Sequence, residues 1–283
     1  MGLLLGMCAC AAAPRPEVRP PPPETSPAPA PSAVASDGAS RAELPIEPGS
    51  ERDADVEPSL AVAGEQLSYG GSAVGGVGEA ELARTRARVR GKLDAARKYW
   101  PTKHQSAFPT TLPIELSEHH RVLLLRELLQ LATTAEFVAV ELDVQAKGSR
   151  QRVNLMLRSP DSQGSRRVRK ELHVSVAPRD QYLLTWREGD TVTSMPYKEL
   201  FASPPADLDL RAFLAQKIDE EWLANGEHRS ASDPKKDIAV LHLDDALTLE
   251  ELLVVTNALA APKRKLTVDG KVVDGSAFDL FVY

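Results

Sequence analysis

Glu115, Glu118, His119 and His120 form the cluster of the sequence that most resembles a set of metal ligands. Adjacent residues project in different directions from a helix or a strand, so His119 and His120 do not both reach one metal ion. The HExxH spacing, which places two imidazole rings on one helical face, is absent. We therefore expect these residues to form a polar start to a helix, with no metal site.

His242 precedes Asp244 and Asp245 at the end of a short apolar run. A carboxylate beside an imidazole orients the ring for general acid or base catalysis. A secreted or envelope enzyme that uses His242 with this acidic pair is therefore one hypothesis. However, alternation along the run places His242 on the same strand face as Val240, which favours a packed histidine. Because the sequence contains no Gly-x-Ser-x-Gly elbow and no Walker loop, we favour a non-catalytic protein without a cofactor.

Cys8 and Cys10 lie at the end of an apolar run that begins at Met1, and they are the only cysteines in the sequence. The run is similar to the end of a bacterial lipoprotein signal, in which a small residue precedes the cysteine that receives the lipid. Cys10, which follows Ala9, fits this lipidation position best, and Cys8 is second. Residues 1–10 lack the basic segment and the full apolar core of a signal, and an upstream start codon would supply both. The alternative is an apolar start without a function.

Proline dominates the next segment, since 12 of the 22 prolines lie between Ala11 and Leu60. Such a composition buries too little apolar surface to offset the chain entropy lost on folding. The segment Tyr69–Gly78 is rich in glycine but lacks the third glycine of a dinucleotide-binding loop. We therefore expect residues 11–78 to be a disordered, Pro/Gly-rich tether that spans about 3 Å per residue where it is extended.

The net charge of −6 argues against a nucleic-acid-binding protein. No run reaches the ~18 apolar residues that are needed to span a bilayer. Residues 79–100 are basic, although the chain as a whole is acidic. They form a predicted helix with an apolar stripe from Leu82 to Trp100 and many cationic residues on its other sides. Such a helix either binds a polyanion or docks on the domain with its charges in water, and we favour docking. The candidate polyanion-binding residues are Arg84, Arg86, Arg88, Arg90 and Lys92.

The segment Asp237–Pro262 has the clearest pattern of secondary structure. An apolar strand from Asp237 to His242 is followed by Thr248 and Glu251, whose spacing is that of a helix capping box. Apolar residues then recur at helical spacing from Leu249 to Leu259. The segment therefore predicts a strand, a turn and a helix, with the next strand after Pro262.

Residues 112–143 show a second pattern of strand, helix and strand. A shift of 124 positions aligns the two patterns and matches Ile114 with Ile238 and Leu128 with Leu252. These matches suggest two related βαβ-type units that arose by internal duplication. Common apolar residues at common positions explain the matches equally well.

Strands and helices alternate without segregation along the last 200 or so residues, which predicts an α+β fold with helices packed on a layered mixed sheet. We expect four regions in the chain. They are a leader at 1–10, the tether at 11–78, a helix with a strand–helix–strand unit at 79–170, and a second α+β domain at 171–283.

The order hairpin–helix–strand–helix–strand between Leu172 and Val268 resembles the periplasmic domain of the ExbD/TolR biopolymer-transport family. The strand Ile238–Asp244, followed by the helix Leu249–Leu259, is similar to a strand in that family that ends in an aspartate and leads into a helix. In the family, a transmembrane helix with a proton-handling aspartate precedes the domain, whereas here the leader and the proline-rich segment precede it. The resemblance implies an envelope domain that dimerises or docks onto peptidoglycan or envelope proteins, and it transfers no functional residue.

Together, the leader and the resemblance predict a lipid-anchored cell-envelope protein that faces the periplasm or the cell surface. Its α+β domain is expected to bind envelope partners, protein or peptidoglycan, and not nucleic acid.

Overall fold

The computed structural model describes residues 49–157, 170–177, 181–188, 191–192, 198–200 and 209–282. In these ranges the chain forms four α-helices, a mixed sheet of twelve strands and a separate two-stranded hairpin. The predicted α+β class, with helices packed on a mixed sheet, is confirmed.

The described helices are α1 (Glu79–Lys103), α2 (Val122–Thr134), α3 (Leu210–Asn225) and α4 (Leu249–Leu259). The first strands of the large sheet are β1 (Leu60–Ala63), β2 (Gln66–Tyr69), β3 (Ser72–Gly76), β4 (Thr111–Ser117), β5 (Ala139–Ala146) and β6 (Ser149–Met156). The later strands are β7 (Lys170–Ala177), β8 (Gln181–Glu188), β9 (Thr191–Val192), β10 (Lys198–Leu200), β11 (Asp237–Leu243) and β14 (Phe278–Val282). The separate hairpin consists of β12 (Lys263–Val268) and β13 (Lys271–Ser276).

The large sheet has the strand order β10-β8-β7-β11-β14-β6-β5-β4-β1-β2-β3, and β9 pairs with β8. Strands β7, β11, β14 and β6 are parallel to one another, as are β5, β4 and β1. The two parallel blocks run in opposite directions because β5 and β6 form an antiparallel hairpin. Its turn residues Lys147 and Gly148 both have positive φ (46° and 77°), the backbone of a type I′ turn. The pairing of β6 with β14 joins the regions predicted at 79–170 and 171–283 in one sheet.

All four described helices pack against one face of the sheet. Alternate strand residues and the buried side of each helix form a single core cluster, which includes Val89 of α1, Leu125 of α2, Ile218 of α3, Leu252 of α4 and Leu241 of β11. The opposite side of the sheet, which we call the helix-free face, has no described helix over it. It carries the other set of alternate strand residues, among them Glu115, Asp143, Arg152, His173, His242 and Phe281.

Residues 49–76 are part of the fold, which corrects the prediction that the tether continues to residue 78. Strand β1 pairs in parallel with β4, and β2 and β3 extend the edge of the sheet. Leu60 and Leu67 are buried in the core. The glycines serve close packing here, because a Cβ atom at Gly75 would lie 2.4 Å from Thr85 Oγ1 of α1. Gly75 and Gly76 therefore mark the close approach of α1 to β3, whereas Gly70 and Gly71, both with positive φ, form the turn between β2 and β3.

Helix α1 continues through Pro101 to Lys103, beyond its predicted end at Trp100. Proline in the last turn removes one helical hydrogen bond without ending the helix there. The turn closes where the His104 N–H donates to the Trp100 carbonyl at 2.8 Å. The Trp100 and His104 rings stack with centroids 3.7 Å apart, which fixes this end of the helix.

Four main-chain hydrogen bonds connect the turns that precede α2 and α4. In each bond an N–H at the start of one helix donates to a carbonyl of the other turn: Val122 to Leu247 (2.8 Å), Leu249 to His120 (2.9 Å), Leu123 to Asp245 (3.4 Å) and Glu250 to Glu118 (3.1 Å). Arg121 and Thr248 form an antiparallel bridge at the centre. The first N–H groups of a helix have no partner within the helix, and here the other turn supplies one. We call this contact the turn-to-turn joint.

The joint relates the two strand–helix–strand units at an offset of 127 positions, as in the pair Val122 and Leu249. At this offset Ile114 corresponds to Leu241, and both belong to the core cluster. The offset of 124 from the sequence matches Ile114 with Ile238, which lies on the helix-free face. A shift of three residues is close to one helical turn, so it preserves the pattern of a helix. In a strand, a shift of three residues moves each side chain to the other face of the sheet. The offset of 124 therefore aligns the helices but not the strands.

The second unit closes on β14 and not on the strand predicted directly after α4. That strand, β12, pairs with β13 across a two-residue turn, Asp269-Gly270, in which both residues have positive φ. The chain then returns to the sheet as β14, parallel to β11. The β12–β13 hairpin is therefore an insertion between α4 and the closing strand.

Thr248 connects the cap of α4 to the joint, so its replacement tests both. Its Oγ1 accepts a hydrogen bond from the Glu251 N–H (3.3 Å), and Glu251 Oε2 accepts one from the Thr248 N–H (2.7 Å). We expect Thr248→Ala to lower the free energy of unfolding by about 1 kcal/mol, measured by urea titration. Thr248→Ser should restore most of the loss, and Thr267→Ala, at an exposed residue of β12, should change little. An unchanged midpoint in Thr248→Ala would contradict this role of the cap.

Candidate functional site

His173 and His242 contact each other on the helix-free face. They lie on the neighbouring parallel strands β7 and β11, where Val240 is opposite His173 and Ser175 is opposite His242. The Nδ1 atom of His173 is 2.7 Å from the Nε2 atom of His242, and the ring centroids are 5.0 Å apart. Only 8% of the surface of His173 is exposed. His173 is therefore shielded from most of the solvent, whereas His242 is partly exposed.

Glu171 extends this pair to a row of three ionisable side chains. Its Oε2 atom lies 3.3 Å from Nε2 of His173. Because a carboxylate only accepts, we assign the N–H of His173 to Nε2, and Nδ1 then accepts the N–H of His242 Nε2. We call this row the Glu171–His173–His242 chain. Such a chain can hold one proton between the two rings or pass it from one ring to the other.

The surroundings of His173 favour its neutral form. Burial lowers the pKa of His173 to about 4, and the charges of Arg187 and His242 act in the same direction. Glu171 opposes this shift as a nearby carboxylate and as a hydrogen-bond partner. Near neutral pH, His173 is therefore uncharged and able to accept the hydrogen bond of His242.

Asp244 and Asp245, which the enzyme hypothesis places with His242, make other contacts. Asp244 Oδ1 accepts a hydrogen bond from the Ala246 N–H at 2.8 Å. Asp245 Oδ1 lies 2.5 Å from Nη1 of Arg126. Both carboxylates thus stabilise the turn before α4, while the His242 ring contacts His173. The sequence analysis did not single out His173, because the pairing of β7 with β11 joins residues 69 positions apart.

The cluster around His119 forms the predicted polar approach to a helix, α2. His120 Nδ1 accepts a hydrogen bond from the Ser117 N–H (3.0 Å), and its Nε2 lies 3.2 Å from the Gly64 carbonyl. The side chain of His119 is 83% exposed. Glu118 is buried, and its Oε1 accepts a hydrogen bond from the Lys147 N–H at 3.3 Å. The two histidines thus have separate surroundings.

The cations of α1 contact other parts of the domain. Arg86 pairs with Glu127 of α2, and Lys92 Nζ lies 2.7 Å from Asp53 Oδ1. Arg88 donates to the Val74 carbonyl (3.2 Å), and Arg90 pairs with Asp94 at 2.9 Å within the helix. Arg84 also has an interaction within the protein. Helix α1 is thus docked on the domain; the prediction left its charges in water, whereas Arg86, Arg88 and Lys92 contact other elements of the fold.

Cys8 and Cys10, the candidate lipidation residues, lie outside the described residues, as does the proline-rich segment up to residue 48. In the described ranges no helix is long and apolar enough to cross a membrane. The same ranges contain no group of His, Cys, Asp and Glu that could hold a metal ion.

A cleft of about 260 Å³ opens where the end of α3, the loop before β11 and strand β12 meet. We call it the basic cleft. Its lining residues include Trp222, His228, Arg229, Asp237, Lys263 and Arg264. The volume lies just below the ~300 Å³ at which pockets for drug-sized ligands begin, so the cleft suits a small ligand.

Buried polar contacts fix the walls of the basic cleft. Asp237 is 5% exposed, and its Oδ2 accepts a hydrogen bond from Trp222 Nε1 at 2.9 Å. Its Oδ1 accepts one from Nη1 of Arg229 at 3.1 Å. The rings of Trp222 and His228 meet edge to face, with centroids 4.8 Å apart. The cleft thus combines a fixed aromatic wall with cationic side chains.

No motif in the sequence marks the basic cleft. The signal in the sequence was the triplet Lys263-Arg264-Lys265 within an acidic chain. The triplet alone does not predict a site, because Arg229 and Trp222 come from other elements. The folding of the loop onto β12 is what brings these residues together.

No protein-family model matches the sequence, and no curated protein is significantly similar to it. Among solved structures, a match is the Acinetobacter baumannii Cap4 receptor, described as containing a SAVED/CARF domain, with the cyclic trinucleotide 2'3'3'-cAAA. The match has 11% sequence identity and a TM-score of 0.24, and it covers 78% of this chain. The chain spans about half of the receptor, since the match covers 51% of that protein.

The pKa of His173 predicts how stability depends on pH. Because this pKa is about 4 in the folded protein and about 6.5 in an unfolded chain, the unfolded state binds more protons between these values. The stabilisation is complete above about pH 6.5 and is lost as the pH falls towards 4. When the pH is lowered from about 7.5 to 4.5, the free energy of unfolding should fall in both proteins. The fall should be larger in the wild type than in His173→Gln, by on the order of 2 kcal/mol.

Urea titration of both proteins at the two pH values measures this difference and cancels the titration of the carboxylates that they share. His119→Gln is the matched control, because it makes the same substitution at a histidine whose side chain is 83% exposed. Equal losses of stability in the wild type and in His173→Gln would contradict the assignment.

Proposed function

We propose that the protein is a non-catalytic binding module of the cell envelope whose ligand site is the basic cleft. The observation that carries this proposal is the cleft itself, in which buried contacts hold Trp222, Arg229 and Asp237 in fixed positions. Fixed walls reduce the conformational entropy that the protein loses when a ligand binds, which favours binding. Of the three side chains that the sequence offers for catalysis, Asp244 and Asp245 are engaged in the turn before α4, and His242 contacts His173.

The envelope address in this proposal rests on the leader and on the proline-rich segment. Lipidation at Cys10, or at Cys8, would attach the chain to a membrane. Residues 11–48 would then separate the folded domain from the membrane by up to roughly 100 Å in an extended conformation. Peptidoglycan and other envelope proteins lie within that reach, and a second copy of the chain on the same membrane would be close enough to dimerise.

A second candidate function, an envelope or secreted enzyme, is favoured by the Glu171–His173–His242 chain. In this role His242 would act as the general acid or base, and His173 would exchange a proton with it over 2.7 Å. Asp244 and Asp245 would hold the end of β11 in place and would not act on the ring.

The envelope address predicts a covalent lipid on the chain. When the protein is expressed in a bacterium with its upstream codons restored, we expect it to partition into detergent and to carry a diacyl or triacyl mass increment. Cys10→Ala should abolish the increment, whereas Cys8→Ala, the matched control, should retain it. An unmodified product in the aqueous phase would contradict the anchor. An increment lost only in Cys8→Ala would move the lipid to Cys8.

The replacement of His242 by alanine separates the two candidate functions. A binding module should lose only packing stability, about 1–2 kcal/mol by urea titration, and should show no turnover of generic ester, phosphoester or glycoside substrates. An enzyme should turn over at least one of these substrates, and His242→Ala should remove that activity without unfolding the protein. Turnover that disappears in His242→Ala but persists in His119→Ala would replace the first proposal by the second.

A further inference from the structure

We propose that strand β13 is an interface at which two copies of this chain pair edge to edge. The two β13 strands run antiparallel about a two-fold axis at Val273, and they join the two β12–β13 hairpins into one four-stranded sheet. This surface is separate from the basic cleft, whose described lining comes from α3, from β11 with its preceding loop, and from β12. The inference therefore goes beyond the proposed function.

The main chain of β13 directs half of its hydrogen-bonding groups away from β12. In an antiparallel pair, two opposite residues either exchange hydrogen bonds or both direct their N–H and C=O groups outward. Thr267 of β12 is of the outward type, because its N–H donates to the Ala231 carbonyl at 2.8 Å. Val272 lies opposite Thr267, so its own N–H and C=O groups point outward on the β13 side of the hairpin. Those of Asp274, two residues further along the strand, do the same.

The outer side of β13 is accessible. In the described ranges, no strand pairs with this side, and the main chain of Val272 and of Asp274 makes no hydrogen bond to a loop or a side chain. Val272 is 63% exposed and Val273 is 42% exposed. An exposed apolar strand with free main-chain groups is a template for pairing with another strand.

The chain closes two other strand edges with its own residues. At β3, side chains of α1 take up main-chain groups, because Arg88 donates to the Val74 carbonyl (3.2 Å) and Glu81 accepts from the Gly76 N–H (3.2 Å). At β12, the loop at 230–235 packs along the outer side of the strand. Proteins block edge strands in such ways to prevent unwanted pairing. An edge that keeps exposed valines and lacks such a block therefore indicates a surface that pairs with a partner.

The side chains of the hairpin fit a second copy of the same edge. Leu266 lies opposite Val273 on one face of the hairpin. With the axis at Val273, these two residues continue into Val273 and Leu266 of the second copy, which makes one apolar row across four strands. Apolar β-branched residues opposite each other stabilise a strand pair. Lys271 then lies opposite Gly275 of the second copy, where the absence of a side chain leaves room for the long lysine.

Other axes fit the sequence of β13 less well. An axis at Asp274 places two carboxylates opposite each other, and like charges in that position destabilise a strand pair. An axis at Val272 brings Asp274 opposite the hairpin turn of the second copy, so fewer residues pair. The axis at Val273 avoids both problems and pairs residues 271–275 of each copy.

The expected dimer is weak and reversible. Pairing over residues 271–275 buries less surface than the ~1,200 Å² at which stable protein interfaces begin. A lipid anchor, as in the proposed function, would confine the copies to one membrane and raise their effective concentration. The pairing itself does not require the anchor.

The first test is sedimentation velocity of the full-length protein from micromolar to millimolar concentration, in which we expect the wild type to shift from monomer to dimer. Val272→Pro removes one outward N–H from each copy and should weaken the dimer at least about tenfold. Val272→Thr is the matched control, because it keeps the N–H group and the β-branched shape, and it should dimerise as the wild type does. The urea midpoint of each variant shows whether the fold is retained.

Cysteine cross-linking tests the register, in chains whose Cys8 and Cys10 are replaced by alanine. Across the axis, the Cα atoms of Val273→Cys lie about 4.5 Å apart, within the range of a disulfide, so this variant should cross-link rapidly. The Cα atoms of Val272→Cys lie roughly 8–9 Å apart, beyond the limit of about 7 Å, so this variant should stay unlinked. Val138→Cys, at a valine outside the hairpin that is 52% exposed, measures the rate of random collision.

Three results would overturn the inference. They are a wild type that stays monomeric throughout, equal dimerisation of Val272→Pro and the wild type, and cross-linking of Val273→Cys no faster than that of Val138→Cys. Faster cross-linking of Val272→Cys than of Val273→Cys would reject the axis at Val273. These experiments do not involve the basic cleft or the lipid, so the failure of the interface is distinguishable from the failure of the proposed function.

Discussion

The turn-to-turn joint is the contact on which the rest of the fold depends. The first N–H groups of a helix require acceptors, and α2 and α4 obtain them from each other's preceding turn. Arg126 reinforces the contact from α2, because its Nη2 donates to the Leu243 carbonyl at the end of β11 (2.5 Å). The joint thus fixes the start of two helices and the end of a central strand at once. It also commits the N–H groups that would otherwise make these helix starts attractive to anions.

Strand β11 carries both candidate sites, on opposite faces. Asp237, at its first residue, points towards Trp222 of α3 and helps to form the basic cleft. His242, near its last residue, lies on the helix-free face against His173. The sheet separates the two sites, and five residues of strand add about 17 Å along the chain. The histidine pair and the cleft are therefore not in direct contact, so protonation of a histidine does not act directly on the side chains of the cleft.

Local patterns predicted the elements well, because their causes are local. The capping box of Thr248 and Glu251 and the apolar spacing of α4 both depend on neighbours within a few residues. The prediction was wrong at residues 49–76, where Gly75 allows the close approach of Thr85 of α1, a contact that neighbouring residues in the sequence do not reveal. The candidate sites were missed for the same reason. The contacts of His173 with His242 and of Arg264 with the loop at 230–235 arise from long-range strand pairing and loop packing.

The two arginines of the basic cleft show how the fold separates structural from available charge. Arg229 is held by carboxylates, so its charge is used within the protein. Arg264 is held by carbonyl dipoles, which position the guanidinium while its positive charge remains. A buried cation without a counter-ion is costly, and a carboxylate in place of one carbonyl would reduce that cost. Since Asp233 turns its carbonyl to Arg264 and its carboxylate towards Arg229, the uncompensated charge of Arg264 is a property of how this loop is folded.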